Sequence, residues 1–328
     1  MDTNMAECLP TVQEKHTTIL TGFLGSGKTT YLNHLLKTYP DIRYAIIENE
    51  FGRESIDSEL ILRAEDEVLE LNDGCLCCTL NEGLYDILNT LHSKSNDYDQ
   101  LIVEATGLAD PRGLAGPFLT NPTVKKHFPL SSIVCLIDAE LIEDQLTETT
   151  EAIHQITFSD ILLINKTDLV SDQYVKTLTR RLSVLNPLAK IVTGHEGNLP
   201  HVAYDQNRLT EDDERINPTC TMNSDHEDHQ HSEVVSLTLI FERPFDYQKL
   251  HLRLMTYLMF QAKNLYRMKG IVWVTGSEER YVVQSVGKRL AISVAEKGRT
   301  AFERRSKIIL IGKNLEKSGL IKMFNQCQ

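Results

Sequence analysis

Four clusters of residue types in this chain could do chemistry. The first is Gly22-Phe23-Leu24-Gly25-Ser26-Gly27-Lys28-Thr29. Its glycines let the backbone curl until successive N–H groups face one point, which is what holds a phosphate chain. Lys28 would neutralise the β and γ phosphates and Thr29 would offer its hydroxyl to Mg2+. A helix expected from Thr29 to Lys37, with Thr30 in its first turn, adds the positive end of its dipole. The second cluster ends the apolar run Leu101-Ile102-Val103: Glu104 is placed to back the Mg2+ site and Gly107 to approach the γ-phosphate through its backbone. A carboxylate where a strand feeds a helix can also serve only the helix dipole. The third is Asn165-Lys166-Thr167-Asp168 after Ile161 to Ile164. The Asp168 carboxylate can accept from guanine N1 and its exocyclic amine, a donor pair that adenine lacks. Asn165 can bond the base and the Lys166 stem can cover its plane, so GTP is expected over ATP. Lys28, Thr29 and Glu104 are the candidates for hydrolysis, with no obvious glutamine to position water.

The fourth cluster is Cys75-Leu76-Cys77-Cys78. The thiols follow Asn72-Asp73-Gly74 and are expected on a turn into a helix starting near Thr79, where the helix N-terminus lowers thiol pKa. Three soft ligands and one nitrogen or oxygen donor suit tetrahedral Zn2+, the expected ion, although Cu+ also accepts thiolates. A redox-active thiol pair and ordinary small residues in a turn are the alternatives. Glu48 and Glu50 end the strand at Ala45-Ile46-Ile47, and either carboxylate could complete the thiolate site or simply be solvated. Strand alternation points both the same way, with Glu48 the favoured ligand. His226, His229 and His231 form an acidic tract that reads first as a solvated linker.

These residues need a scaffold, and the hydropathy pattern supplies one. From His16 to about Gly194 short apolar runs alternate with amphipathic stretches such as Thr29 to Lys37 and Gly83 to His92. That predicts an α/β fold, a P-loop NTPase domain with a mostly parallel sheet flanked by helices. Aliphatic runs fade from about Gly197 to Ser232. They return at Val234 to Ile240, in a helix near Tyr247 to Phe260, and in strands at Ile271 to Val274, Tyr281 to Val286 and Ile308 to Ile311, a smaller α+β domain. The expected divisions are a tail over 1–15, the nucleotide domain over 16–204, an acidic His-containing linker over 205–232 and the C-terminal domain over 233–328.

The chain has 328 residues, 41% hydrophobic and 24% charged, with a formal net charge of -12. No apolar run approaches the ~18 residues of a membrane span, and Met1 to Lys15 has no apolar signal region. The cytoplasm is therefore expected. The acidity argues against nucleic acid as a partner, since binding there needs clustered Lys and Arg. Pairing into a homodimer stays open. Seven cysteines in a chain of this size suggest metal or redox chemistry rather than a disulfide framework.

Taken together, Gly22 to Thr30, Glu48-Asn49-Glu50-Phe51-Gly52, Gly74 to Cys78, Glu104 to Pro111 and Asn165 to Asp168 resemble the CobW-like metallochaperone GTPases, in particular their YjiA-type branch. The resemblance implies weak GTP hydrolysis, zinc bound at the Cys-x-Cys-Cys turn, and GTP-dependent handover of the metal to a client metalloprotein. Three stretches depart from the family pattern. Arg53 stands where a further carboxylate is common, Val283 to Gly287 lacks a His that the family often has, and Cys8-Leu9-Pro10 resembles a Cys-Pro client-docking motif only faintly, which leaves the client open. Two other readings of the residues are a P-loop kinase or ATPase with structural cysteines, and a metal-sensing or storage GTPase with no client.

Overall fold

The computed structural model describes residues 15–49, 60–64, 67–70, 82–196, 199, 234–261, 263–295 and 305–328. The first part runs β1 (His16–Gly22), α1 (Lys28–Thr38), β2 (Tyr44–Asn49), β3 (Leu60–Ala64), β4 (Glu67–Glu70), α2 (Glu82–Ser93), β5 (Gln100–Ala105) and α3 (Pro111–Thr120). It continues through α4 (Pro122–His127), β6 (Leu130–Asp138), α5 (Ile142–Glu148), α6 (Thr150–Phe158), β7 (Ile161–Asn165), a short 3-10 turn at Thr167–Leu169, α7 (Asp172–Leu185) and β8 (Lys190–Thr193). The strands form one sheet in the order β4-β3-β2-β5-β1-β6-β7-β8. From β2 to β8 every pairing is parallel, whereas β3 and β4 fold back antiparallel at the β2 edge.

Continuous apolar runs become strands here because helices cover both faces. Successive residues of β5 show it: Leu101 and Val103 pack with Leu84, Leu88 and Phe118 on one face, while Ile102 packs with Leu20, Tyr31 and Leu35 on the other. β1 lies at the centre, between β5 and β6. The chain's crossovers leave to either side of it, which makes its C-terminal end the topological switch point, outside which open α/β sheets have their ligand crevice.

The second part comprises β9 (Val234–Phe241), α8 (Tyr247–Gln261), β10 (Leu265–Trp273), β11 (Arg280–Val286), β12 (Arg289–Val294), β13 (Ser306–Lys313) and α9 (Lys317–Asn325). Its sheet has the order β12-β11-β10-β13-β9 and is antiparallel throughout. Leu250, Leu254 and Leu258 recur every four residues on α8 and, with Leu320 and Phe324 of α9, cover one face around Val272, Ile308 and Leu310. The other face meets the first domain, with Ile309 and Ile311 against Leu188.

β10 begins at Leu265, six residues before the strand expected at Ile271. Arg267 and Lys269 interrupt the apolar run that would have announced it, yet both are buried and both form ion pairs with Asp160 of the first domain. β12 and α9 add to the expected elements, as does the β3–β4 pair. The linker expected over 205–232 lies outside the described residues. Among the described residues no helix is long and apolar enough to cross a membrane.

Candidate functional site

β1 drives straight into the crevice. After the buried Ile19 and Leu20, the backbone takes positive φ at Gly22, Gly25 and Gly27, with values of 141°, 76° and 99°, and α1 starts at Lys28. Gly27 caps α1 without a side-chain hydrogen bond, so no side chain competes for the N–H groups of the first turn. At Gly27 a side chain is also excluded by packing: a Cβ would stand 2.5 Å from Asn165 Nδ2.

Lys28 is only 8% exposed, and its Nζ donates to Gly22 O at 3.0 Å and Phe23 O at 3.3 Å. Burial pushes its ammonium below the ordinary lysine value, against the opposing pull of the Glu104 carboxylate and, less, the Cys135 thiol. Ser26 Oγ, in the same loop, is buried with no hydrogen-bond partner. A buried cation resting on main-chain carbonyls beside an orphaned hydroxyl is a cradle with anion-binding capacity unspent. Thr29 and Thr30 are exposed in the first turn of α1.

Glu104 sits near the end of β5, paired in register with Leu20 of β1 on one side and with Glu48 of β2 on the other. The loop beyond it touches the glycine loop at Gly107, where a Cβ would lie 2.6 Å from Leu24 N and 2.7 Å from Leu24 Cα. Only glycine allows that approach.

The Asn-Lys-x-Asp motif follows β7 and reaches the same crevice. Asn165 is 2% exposed, and its Nδ2, expected at a base, here donates to Ser26 O at 3.0 Å, tying the third motif to the first. Lys166 adopts a left-handed backbone with φ 58° and donates from Nζ to Asp138 Oδ2 at 2.6 Å. Asp138 is fully buried, and its Oδ1 accepts the Glu140 N–H at 3.0 Å. Asp168 is exposed on the short turn that Thr167 anchors to Gly194 O.

Asp138 is absent from the sequence reading, which ends that strand at Ile137. Its signal was an acid at a strand end, the same position that singled out Glu104. Asp110 falls in the Glu104 to Pro111 stretch but is given no role there: it caps α3 by accepting the Arg112 N–H at 3.0 Å and pairs with the Arg112 guanidinium.

Cys75, Cys77 and Cys78 lie outside the described residues, as do Glu50 and the His226, His229 and His231 tract. α2, expected from near Thr79, is described from Glu82. Glu48 is placed by its backbone on β2. Among the described residues there is no group of three or more His, Cys, Asp or Glu able to hold a metal ion.

Residues 16–193 match the family model described as CobW/HypB/UreG, nucleotide-binding domain. Residues 234–328 match that of the cobalamin synthesis protein cobW C-terminal domain. The zinc chaperone YjiA of Escherichia coli is 31% identical over 276 residues, which span 82% of this chain and 85% of that protein. The zinc chaperone CobW of Pseudomonas aeruginosa is 28% identical over 348 residues, spanning 95% of this chain and 91% of that one. The solved structure of Zn(II)-bound YjiA GTPase from E. coli superposes with a TM-score of 0.68 at 25% identity, covering 96% of this chain and 99% of that one.

Proposed function

The chain belongs to the CobW/HypB/UreG family, and from that premise we propose that it is a GTPase that carries zinc and uses the state of its nucleotide to govern how tightly the metal is held. In this reading the glycine loop from Gly22 to Gly27 cradles the phosphates with Lys28, Thr30 lies beside them, Gly107 N–H meets the γ-phosphate and Asp168 reads guanine. Asn165 and Lys166 support the base loop, the first through Ser26 O and the second through Asp138. Thr29 and Glu104 would hold Mg2+, which when bound neutralises charge on the β and γ oxygens. Zinc is cargo, taken by Cys75, Cys77 and Cys78 with Glu48 as fourth ligand, and passed to the empty metal site of a client protein. Thiols kept for metal need a reducing compartment, so the cytoplasm is the assigned location.

One observation carries the coupling. Glu48 and Glu104 are register partners on adjacent strands, about 4.8 Å apart as parallel neighbours are. A strand shift that Glu104 makes toward Mg2+ and the γ-phosphate is therefore felt at the residue assigned to zinc. The domain division follows the same reading: a nucleotide domain over 16–204 and a C-terminal domain over 233–328, joined by the linker over 205–232.

Linkage gives the test. Zinc affinity measured with GDP and with a non-hydrolysable GTP analogue should differ by about 5- to 150-fold, the usual span of a coupling free energy. GTP-analogue affinity must then change by the same factor when zinc is added. Equal zinc affinities in the two states would overturn the carrier reading while leaving the GTPase intact. Base recognition is checked separately: Asp168→Ala should abolish the preference for GTP over ATP in competition binding, because a site that bonds a donor pair discriminates through those bonds. ATP that already competes equally in the wild type would remove the assignment of Asp168.

A further inference from the structure

We propose that Gln155 is a positioning residue for γ-phosphate recognition, holding the loop that follows β5 up against the glycine loop. The proposal rests on the GTPase reading above. Gln155 lies on α6 and is 1% exposed. Its Nε2 donates to Gly107 O at 3.0 Å and to Ala109 O at 3.2 Å. A side-chain amide nitrogen carries two hydrogens, so both are committed to this one loop. Left without acceptors in the interior they would be a net loss.

The loop has reason to need such a tie. Ala109 N–H closes a turn onto Thr106 O at 2.9 Å, but between them stands Gly107, whose adjoining peptide planes rotate more freely than those of any other residue. Gly107 is also the point of contact with Leu24 in the glycine loop. By holding the Gly107 carbonyl, Gln155 selects one orientation of this segment and keeps it packed on the phosphate cradle. A donor aimed in advance at the γ-phosphate favours GTP over GDP, because GDP has nothing there to meet it.

α6 is a suitable anchor because the second domain grips it. His154, adjacent to Gln155, meets the edge of Tyr266 with ring centroids 4.8 Å apart. At the end of the helix Arg267 Nη1 donates to Phe158 O at 2.8 Å and to Ser159 O at 2.6 Å. Gln155 thus connects the γ-phosphate loop to a helix clamped by the C-terminal sheet.

A glutamine that merely satisfied two buried carbonyls would, when replaced, lower the melting temperature and leave nucleotide choice alone. The test is Gln155→Leu in the full chain, with GDP and a non-hydrolysable GTP analogue titrated by calorimetry, single-turnover hydrolysis, and thermal melting without nucleotide. The ratio of GTP-analogue to GDP affinity should fall about tenfold, the net worth of one hydrogen bond, with a matching fall in hydrolysis and unchanged GDP affinity. An unchanged ratio in a folded variant overturns the proposal even if melting falls. Where Gln155→Leu does not fold, Gln155→Glu keeps the shape and turns a carboxylate on the same two carbonyls. It should lower the ratio at least as far, and an unchanged ratio there is equally fatal. Wild-type protein that binds neither nucleotide overturns the GTPase reading itself, and this assignment with it.

Discussion

Replacing Lys28 with alanine is expected to lower single-turnover GTP hydrolysis by about 10²- to 10³-fold, the loss seen when one preorganised donor to developing charge is removed. The size follows from where the ammonium sits. It is almost wholly out of water and rests on Gly22 O and Phe23 O, so its desolvation has been met during folding rather than at the moment of reaction. Burial pushes its pKa down, and the Glu104 carboxylate only partly opposes that. A phosphate chain entering the cradle supplies the counter-charge that two neutral carbonyls cannot. Alanine removes the charge and the two bonds that shape the loop, so nucleotide affinity should fall together with turnover. Lys28→Arg should not restore activity, because the planar fork of a guanidinium is too broad to sit on the same two carbonyls. Hydrolysis by Lys28→Ala at close to the wild-type rate would remove Lys28 from the site.

The glycine loop and its flanking strand and helix were legible because their constraint is local. Positive φ at Gly22, Gly25 and Gly27 is written in the identity of those residues. The parallel sheet was legible for a related reason: strands buried on both faces need unbroken aliphatic runs, and β7 has one. What escaped depends on partners far along the chain. Asn165 could be named from its motif, but its bond to Ser26 O spans 139 positions and nothing near Asn165 announces it. Gln155 looks like any polar residue of an amphipathic helix until the loop at Gly107 closes over it. Arg267 and Lys269 read as a break between elements, and the counter-charge of Asp160, 107 positions from Arg267, helps to make a continuous strand there affordable in free energy. The cysteine turn is the reverse case, since the residue types declare the chemistry while the turn lies outside the described residues.

That same trio should be the most sensitive point between the two domains. Asp160→Ala is expected to destabilise the protein by about 3–5 kcal/mol, the loss that follows when one member of a buried ion pair is removed and the other is left uncompensated. Burial alone would push the Asp160 carboxyl up. The Arg267 guanidinium, then the Lys269 ammonium and the Ile133 N–H, outweigh it and hold the group below the usual carboxylate range. The carboxylate also accepts Ile133 N–H at 2.9 Å, so alanine takes away the acceptor of a strand amide together with the counter-charge facing two buried cations. Because the folded pKa lies below the unfolded one, this contribution is complete above the ordinary aspartate value of about 3.9 and is lost as pH falls through the lower, folded value. Acid should accordingly separate wild type from variant less and less. The only tryptophan of the chain, Trp273, lies on β10, the strand that carries Arg267 and Lys269, so urea unfolding followed by its fluorescence reads the second domain directly. Asp160→Asn keeps an acceptor for Ile133 and should cost less than alanine. Asp160→Leu combined with Arg267→Met and Lys269→Met removes the uncompensated charges and should recover much of the loss, since buried ion groups tolerate apolar replacement as a set. A shift below about 1 kcal/mol for Asp160→Ala, the range of exposed pairs, would mean that water reaches the trio and that the two domains part there in solution.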